Sequence, residues 1–391
     1  MRLRCISCGS IYKADPWLFS CPRCGGLLEV LHDSPDPTPR RGPGVWRYSG
    51  ALPEAESRVS LGEGGTPLIR LGRGRVYLKF EGANPTGSFK DRGMAVAVSL
   101  ALDTGARAVL AASTGNTSAS AAAYAARAGL ESIIVLPRGR VARGKLFQAM
   151  LHGAHIIEVD GSFDDALKAV LSYIRNGGRI VYPVNSFNQW RLEGQKTLAF
   201  EVIEELGDAP DYVFVPVGNA GNISAIWRGF KEAYNAGAAS RLPRMIGVQA
   251  RGASPLATMI ERGSKEPVWF DKPETIATAI RIGKPVNWPR ALMAVEESGG
   301  TIIAVGDEEI LKAQEELARS EGIGVEPASA ASYAGYKRLR HRIPEDSTVV
   351  LVATGHALKD PGVEVDAKIY RAGSPGEAVR LIEGLARSSP P

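Results

Sequence analysis

From about residue 105 onward, short apolar and β-branched runs alternate with longer stretches whose apolar positions recur at helical spacing. The runs Ala108 to Ala112, Ser132 to Leu136, His155 to Val159, Tyr212 to Val217, Met245 to Gln249, Thr301 to Val305 and Thr348 to Ala353 predict strands. Between them, Asn116 to Ala128, Asp164 to Arg175, Trp190 to Leu206 and Asp307 to Ser320 predict helices. The last of these starts on acidic residues and ends near Arg319, as the helix dipole favours. Strands that take turns with helices pack as a parallel sheet flanked by those helices, so the body is predicted to be α/β. No charged residue lies between Arg107 and Arg127, a length that suggests a membrane span. Ser113, Thr114, Asn116, Thr117, Ser118 and Ser120 interrupt that run, so it reads as protein interior.

Upstream the pattern changes. Residues 33–44, DSPDPTPRRGPG, carry Pro35, Pro37, Pro39 and Pro43 without apolar periodicity and read as a linker. Before it, Cys5 and Cys8 form one CxxC and Cys21 and Cys24 another, and the remaining 367 residues hold no cysteine. Four thiols at this spacing predict a tetrahedral zinc ribbon, and the site is structural because four thiolates close the coordination shell. Two disulfides are the alternative. The start Met1 Arg2 Leu3 Arg4 lacks the apolar core of a secretory signal, and a large chain without scattered cysteine pairs suits a reducing, cytoplasmic interior. A chain of 391 residues, 44% hydrophobic and 23% charged, has room for two packed domains and excludes disorder. Its net charge of +5 is too mild for binding a phosphate backbone, so neither nucleic acid nor membrane is an expected partner.

Four segments rich in helix breakers carry the candidate chemistry. Asn84 to Gly93, NPTGSFKDRG, puts Lys90 in a turn just before the apolar stretch Met94 to Leu102. Ser113 to Thr117 follows a strand and opens a helix, where amides and hydroxyls can meet an anion; ordinary capping is the alternative. Gly218, Asn219, Ala220, Gly221 and Asn222 repeat the arrangement after the strand ending at Val217, with two glycines that let the backbone close around a phosphate. Thr354, Gly355 and His356 follow the last strand, at a carboxyl edge where ligands of open α/β sheets bind.

With Gly62 to Leu68 (GEGGTPL) and Asn185 to Thr197 (NSFNQWRLEGQKT), these segments resemble the fold type II family of pyridoxal phosphate enzymes, and within it the threonine synthases, over about residues 60–360. The resemblance implies two open, twisted α/β domains behind the ribbon. The expected division is a zinc ribbon at 1–30, a linker at 31–44, a large cofactor-binding domain from 45–82 and 187–391, and a small domain at 83–186. It implies that Lys90 holds pyridoxal 5'-phosphate as a Schiff base, Asn116 contacts the ring hydroxyl, Gly218 to Asn222 cradle the phosphate, and Thr354 meets the pyridine nitrogen. It also implies a homodimer and a phosphorylated amino-acid substrate, O-phosphohomoserine, converted with water to threonine and phosphate by β,γ-replacement.

A second phosphate then needs its own site. Asn185, Ser186 and Arg191 are the candidates, Arg191 because its planar fork matches an oxyanion. The resemblance further places Thr117 near that phosphate, and Ser113, Thr114 and Asn116 around the substrate carboxylate. A phosphoserine-using cysteate or cysteine synthase and a threonine dehydratase share the fold and are the alternatives. The sequence departs from the family pattern at Lys284, which reads as a solvated side chain. Lys90 must be neutral part of the time to attack an aldehyde or take a proton, so a site closed from water with cationic neighbours is expected around it. A threonine hydroxyl at the ring nitrogen, in place of a carboxylate, suits elimination over transamination. Because the candidate residues all lie in the cysteine-free part, the ribbon is expected to serve stability or assembly and to be dispensable for chemistry.

Overall fold

The chain opens on a three-stranded antiparallel sheet of β1 (Arg2–Cys5), β2 (Ile11–Lys13) and β3 (Leu28–Leu31), with β1 in the middle. The structure is a computed structural model and describes residues 1–138, 143–161, 163–361 and 370–388. Leu28 and Val30 alternate inward along β3, the period-two burial of a strand with one face on a core. That core is not the ribbon's own. Leu3, Phe19, Leu28 and Val30 join one apolar cluster with Met94, Tyr182, Phe187 and Trp190 of the body.

Later strands are β4 (Leu68–Leu71), β5 (Val76–Phe80), β6 (Ala108–Ala112), β7 (Glu131–Pro137), β8 (His155–Val159), β9 (Val181–Pro183), β10 (Tyr212–Pro216), β11 (Arg244–Ala250), β12 (Thr301–Val305) and β13 (Val349–Ala353). Among the described residues they form two sheets, a six-stranded one in the order β12-β11-β10-β13-β5-β4 and a four-stranded one in the order β8-β7-β6-β9. Both are parallel throughout except for the β4–β5 pair. Along β10, Val213 and Val215 face one apolar core and Phe214 the other, so the larger sheet is covered on both faces.

The helices α1 (Lys90–Asp103), α2 (Asn116–Ala128), α3 (Arg143–Leu151), α4 (Phe163–Arg175), α5 (Gln189–Gln195), α6 (Thr197–Leu206) and α7 (Gly221–Asn235) supply most of the site. They are followed by α8 (Pro255–Glu261), α9 (Trp288–Glu297), α10 (Asp307–Glu321) and α11 (Pro327–Leu339). Residues 1–361 make one unit; the remainder, a second unit, contributes α12 (Pro375–Ser388). The uncharged run between Arg107 and Arg127 becomes β6 and α2, with Ala121 to Ala125 buried, and no helix among the described residues is long and apolar enough to cross a membrane.

The predicted helix Trp190 to Leu206 is two helices that meet at Lys196. Lys196 keeps helical angles, φ −62° and ψ −22°, so nothing in the local pattern announces the break. The reason for the segment's shape lies across from it. In α1 every residue from Asp91 to Ala101 is buried, and α1 crosses α5 backbone to backbone through Gly93 and Gly194. A Cβ on Gly93 would come within 2.5 Å of the Arg191 carbonyl oxygen, and one on Gly194 would collide with the carbonyl of Arg92. Gly194→Ala is therefore expected to lower the stability by about 3 kcal/mol, the upper end of overpacking costs. A chemical denaturation midpoint that stays at the wild-type value would show that the two helices separate freely.

Candidate active site

Lys90 is the first residue of α1, and the turn before it fixes where it points. The buried Asp91 carboxylate accepts hydrogen bonds from the Thr86 N–H (2.7 Å), the Thr86 hydroxyl (2.6 Å) and the Ser120 hydroxyl (2.6 Å). Burial raises Asp91 to about 6 while these three donors pull the other way. The same turn is stitched to the loop after β13. The Phe89 N–H donates to the Thr354 carbonyl (3.0 Å), and the His356 N–H donates to the Gly87 carbonyl (2.9 Å). One residue past Asp91, the buried Arg92 guanidinium binds Glu81 through Nε (2.6 Å) and Nη2 (2.8 Å), and Glu201 through Nη1 and Nη2 (both 2.7 Å).

Desolvation, reinforced by the Arg191 guanidinium, pulls the Lys90 amine from 10.5 down to about 7, with Glu326 opposing the shift. Its Nζ lies 4.2 Å from the centroid of the Phe89 ring. A narrow cavity of about 50 Å³ adjoins it. The walls include Lys90, Asn116, Ser186, Arg191, Gln195, the whole run Gly218 to Asn222, Glu326 and Thr354.

Two features suit these walls to an anion. The Gly218 to Asn222 loop leads into the 15-residue α7, whose first amides have no partner inside the helix and sit at the positive end of its dipole. Ala220 in that loop has φ +64°, a left-handed angle that a side chain adopts only under local constraint. Second, among the described residues, the buried donors Arg191 Nε and Asn222 Nδ2 have no hydrogen-bond partner. Each orphaned donor or acceptor costs about 1–3 kcal/mol, recovered when a ligand pairs with it. Thr354 contributes a hydroxyl 3.0 Å from that of Ser329. An amine, an amide-lined helix terminus and neutral hydroxyls fit a phosphorylated pyridine aldehyde.

The other expected residues are distributed unevenly. Ser113, Thr114 and Thr117 are half-buried around the start of α2 but do not line the cavity. Asn185 uses its amide on the end of β6, accepting from the Ala112 N–H (3.0 Å) and donating to the Ala112 carbonyl (2.9 Å). Ser186 and Arg191 do line the cavity, and Arg191 Nη1 donates to the Val184 carbonyl (2.8 Å), which leaves its Nε free. Lys284 pairs with Asp271 at an exposed position (2.7 Å), as a solvated lysine does.

Sequence reasoning missed Glu326. This buried carboxylate accepts from Asn116 Nδ2 (2.9 and 3.2 Å), and burial raises it to about 7. It thus stands beside Lys90 with a matched proton affinity. In the sequence it precedes Pro327 at the start of α11, where an acidic residue reads as ordinary helix capping.

In the ribbon, Cys5 Sγ lies 3.5 Å from Cys24 Sγ, and Cys8 Sγ lies 3.7 Å from Cys21 Sγ. All four sulfurs lie within 4.8 Å of one another and none is in a disulfide. A tetrahedral zinc with bonds of about 2.3 Å needs sulfurs about 3.8 Å apart, so the donor set fits that metal. His32, Glu193 and Glu232 also cluster, but the Lys196 ammonium already fills their centre, 2.6 Å from Glu193 and 2.7 Å from Glu232.

A family model described as pyridoxal-phosphate dependent enzyme matches residues 59–355. The chain is 52% identical over 387 residues to the threonine synthase of Methanocaldococcus jannaschii, covering 94% of this chain and 95% of that protein. It is 48% identical over 380 residues to the threonine synthase of Methanosarcina acetivorans, covering 93% of each. Among solved structures, threonine synthase from Escherichia coli superposes with a TM-score of 0.74 at 20% identity, over 97% of this chain and 94% of that one.

The depressed affinity of Lys90 for protons sets a pH dependence. The rate at which the cofactor-free protein captures pyridoxal phosphate is expected to rise with pH through a midpoint near 7 and then level off, because only the neutral amine reacts. Removing the negative charge in Glu326→Gln moves that midpoint lower. A wild-type midpoint near the ordinary lysine value would show that the amine is not desolvated.

Proposed function

The chain belongs to the family of pyridoxal-phosphate dependent enzymes, and we propose that within it the chain acts as a threonine synthase, converting O-phosphohomoserine and water to L-threonine and phosphate. The observation that carries this reading is a second anion site. The Gly218 to Asn222 loop at the start of α7 serves the cofactor's phosphate, and Arg191, buried with an unpaired Nε beside Lys90, is left for another. A substrate with its own phosphate accounts for both.

In this reading Lys90 holds the aldehyde carbon of the cofactor, Asn116 its ring hydroxyl, and Thr354 its ring nitrogen. When bound, the cofactor supplies an electron sink for the bond-breaking steps. The protein's part is to hold groups and move protons. Lys90 Nζ, set free when the substrate amine takes its place and neutral in about half the molecules at pH 7, takes the proton from the substrate Cα and, once it has passed that proton on, one from Cβ, after which phosphate leaves from Cγ. Arg191 and Ser186 hold that phosphate as its charge grows, a task for a bidentate donor in a site screened from water. Water adds at Cβ, and protons return to Cα and Cγ. Glu326 keeps the Asn116 amide turned toward the site and, with a proton affinity near that of Lys90, stores a proton between these steps. Ser113 and Thr114, at the free amides that open α2, take the substrate carboxylate end with Asn116, Thr117 lies toward the substrate phosphate, and Asn185 anchors the loop that carries Ser186 to the end of β6.

The ribbon cysteines hold one structural zinc, and thiols kept reduced for a metal suit the cytoplasm.

Threonine and phosphate are expected in equal amounts from O-phosphohomoserine, whereas equal phosphate release from O-phosphoserine would replace this reading with a phosphoserine-using synthase. Lys90→Ala is expected to lose both turnover and the visible absorption band of bound cofactor. Arg191→Lys keeps the charge but loses the fork, and is expected to raise KM for O-phosphohomoserine about 10- to 100-fold while the band is retained.

A further inference from the structure

We propose that the ribbon is a positioning element of the substrate-phosphate site, acting through His32 and α5. This rests on the reading of Ser186 and Arg191 as the site for the substrate's phosphate.

The ribbon grips the segment from Tyr182 to Glu193 at both ends. At the near end, the Tyr182 hydroxyl donates to the Pro16 carbonyl (3.0 Å), and the Phe19 ring packs edge-on against Tyr182 and Phe187, with centroids 5.3 and 6.1 Å apart. In the middle, Gln189 Nε2 donates to the Leu18 carbonyl (2.7 Å). At the far end, His32 Nε2 lies 2.6 Å from a carboxylate oxygen of Glu193, to which it donates in the tautomer that carries its proton there, and 3.2 Å from the Lys196 ammonium. Glu193 is fully buried and two residues beyond Arg191. It also meets Lys196 (2.6 Å) and Arg228 (2.8 Å), so its position is set from three sides, one of them the residue that directly follows β3 of the ribbon.

A second path reaches Ser186. The Arg290 guanidinium donates to the Leu28 carbonyl of β3 and to Asn287 Oδ1, and Asn287 Nδ2 donates to the Ser186 carbonyl (2.9 Å). The cysteines lock the ribbon ends of both paths together. Cys21 follows Phe19 by two residues, and Cys5 pairs with Leu28 across β1 and β3. The body is rigid against this push, because Gly93 and Gly194 leave α5 no room to move toward α1. A shift of the ribbon is therefore felt along the segment that carries Ser186 and Arg191.

Substitution of His32 is practical, since a cavity of about 550 Å³ opens beside it, lined also by Arg228, Glu232 and Arg290. In the cofactor-loaded, full-length protein, His32→Ala is expected to raise both KM for O-phosphohomoserine and the inhibition constant of inorganic phosphate about tenfold or more, the scale of a small misplacement of binding groups. The turnover number changes less than twofold and the cofactor band keeps its intensity. His32→Gln, which puts an amide N–H where Nε2 was, restores both constants. Should His32→Ala fail to fold, Gln189→Met removes a different grip and is expected to give the same split.

Wild-type KM and phosphate inhibition in His32→Ala, alongside a raised KM in Arg191→Lys, would overturn the positioning role and leave the phosphate site standing. A wild-type KM in Arg191→Lys would instead remove the phosphate site itself. Equal losses in KM, turnover number and band intensity, not restored by His32→Gln, would reduce His32 to a structural residue and overturn the proposal.

Discussion

The Arg92 guanidinium sits buried between the carboxylates of Glu81 and Glu201, with the Thr66 and Thr197 hydroxyls at 3.1 Å completing its contacts. Lys79, also fully buried, shares Glu201 at 3.0 Å and reaches Glu205 at 2.5 Å, so the positive charges in this knot are matched. Such a cluster contributes little net stability, because desolvation consumes most of the attraction. Its effect is geometric. Glu81 follows β5, Thr66 precedes β4, and Thr197 and Glu201 belong to α6, so one side chain ties the first turn of α1 to the larger sheet and to the helix beyond α5. Taking away the guanidinium leaves the Glu81 carboxylate without a cation in the interior and Glu201 with Lys79 alone, a loss on the order of 3–5 kcal/mol. Lys90, two residues upstream, inherits its place from this knot.

The same economy appears in the electrostatics of the cavity. Lys90 and Glu326 are both driven toward neutrality by burial, the amine downward and the carboxyl upward, until both lie near 7. Neither shift needs a dedicated catalytic partner. Both follow from placing ionisable groups where water is scarce, at the meeting of a loop after β13, the start of α11 and the start of α1.

Much of this was legible in the sequence, and the limits have physical causes. The strands β6, β8 and β12 were marked to the residue; β6 is buried along its whole length, as a strand covered on both faces is, whereas β8 was found by its β-branched residues although His155, Ile157 and Glu158 are exposed. β5 was missed: its VYLKF contains Lys79, buried only because an ion cluster built by distant residues receives it. α11 was missed because PASAASYAGYKRL packs small residues and shows no stripe of large ones. The lysine turn and the glycine loop stood out as segments rich in helix breakers, and the family resemblance gave them their expected roles. Glu326 did not stand out, since what distinguishes it from a capping acid is its neighbours Asn116 and Lys90, more than 200 positions away along the chain. The contact of Gly93 with α5 is hidden for the same reason. Distance along the chain also set the cysteine segment apart from the chemistry, and folding removes that separation.

The shared apolar cluster of ribbon and body has a consequence for the time course of synthesis. Pro16 and Tyr182 are 166 residues apart in the chain, yet they end in contact. At translation rates of about 5–20 residues per second, roughly 10–30 s pass between the emergence of Phe19 and that of the aromatic side chains that will cover it. During that interval some 30 residues must keep their shape without a core of their own, which chains of that size manage only with a cross-link or a metal. A metal ion held by the four cysteines within the first 24 positions would let the nascent segment close on itself before the surface it joins has been made.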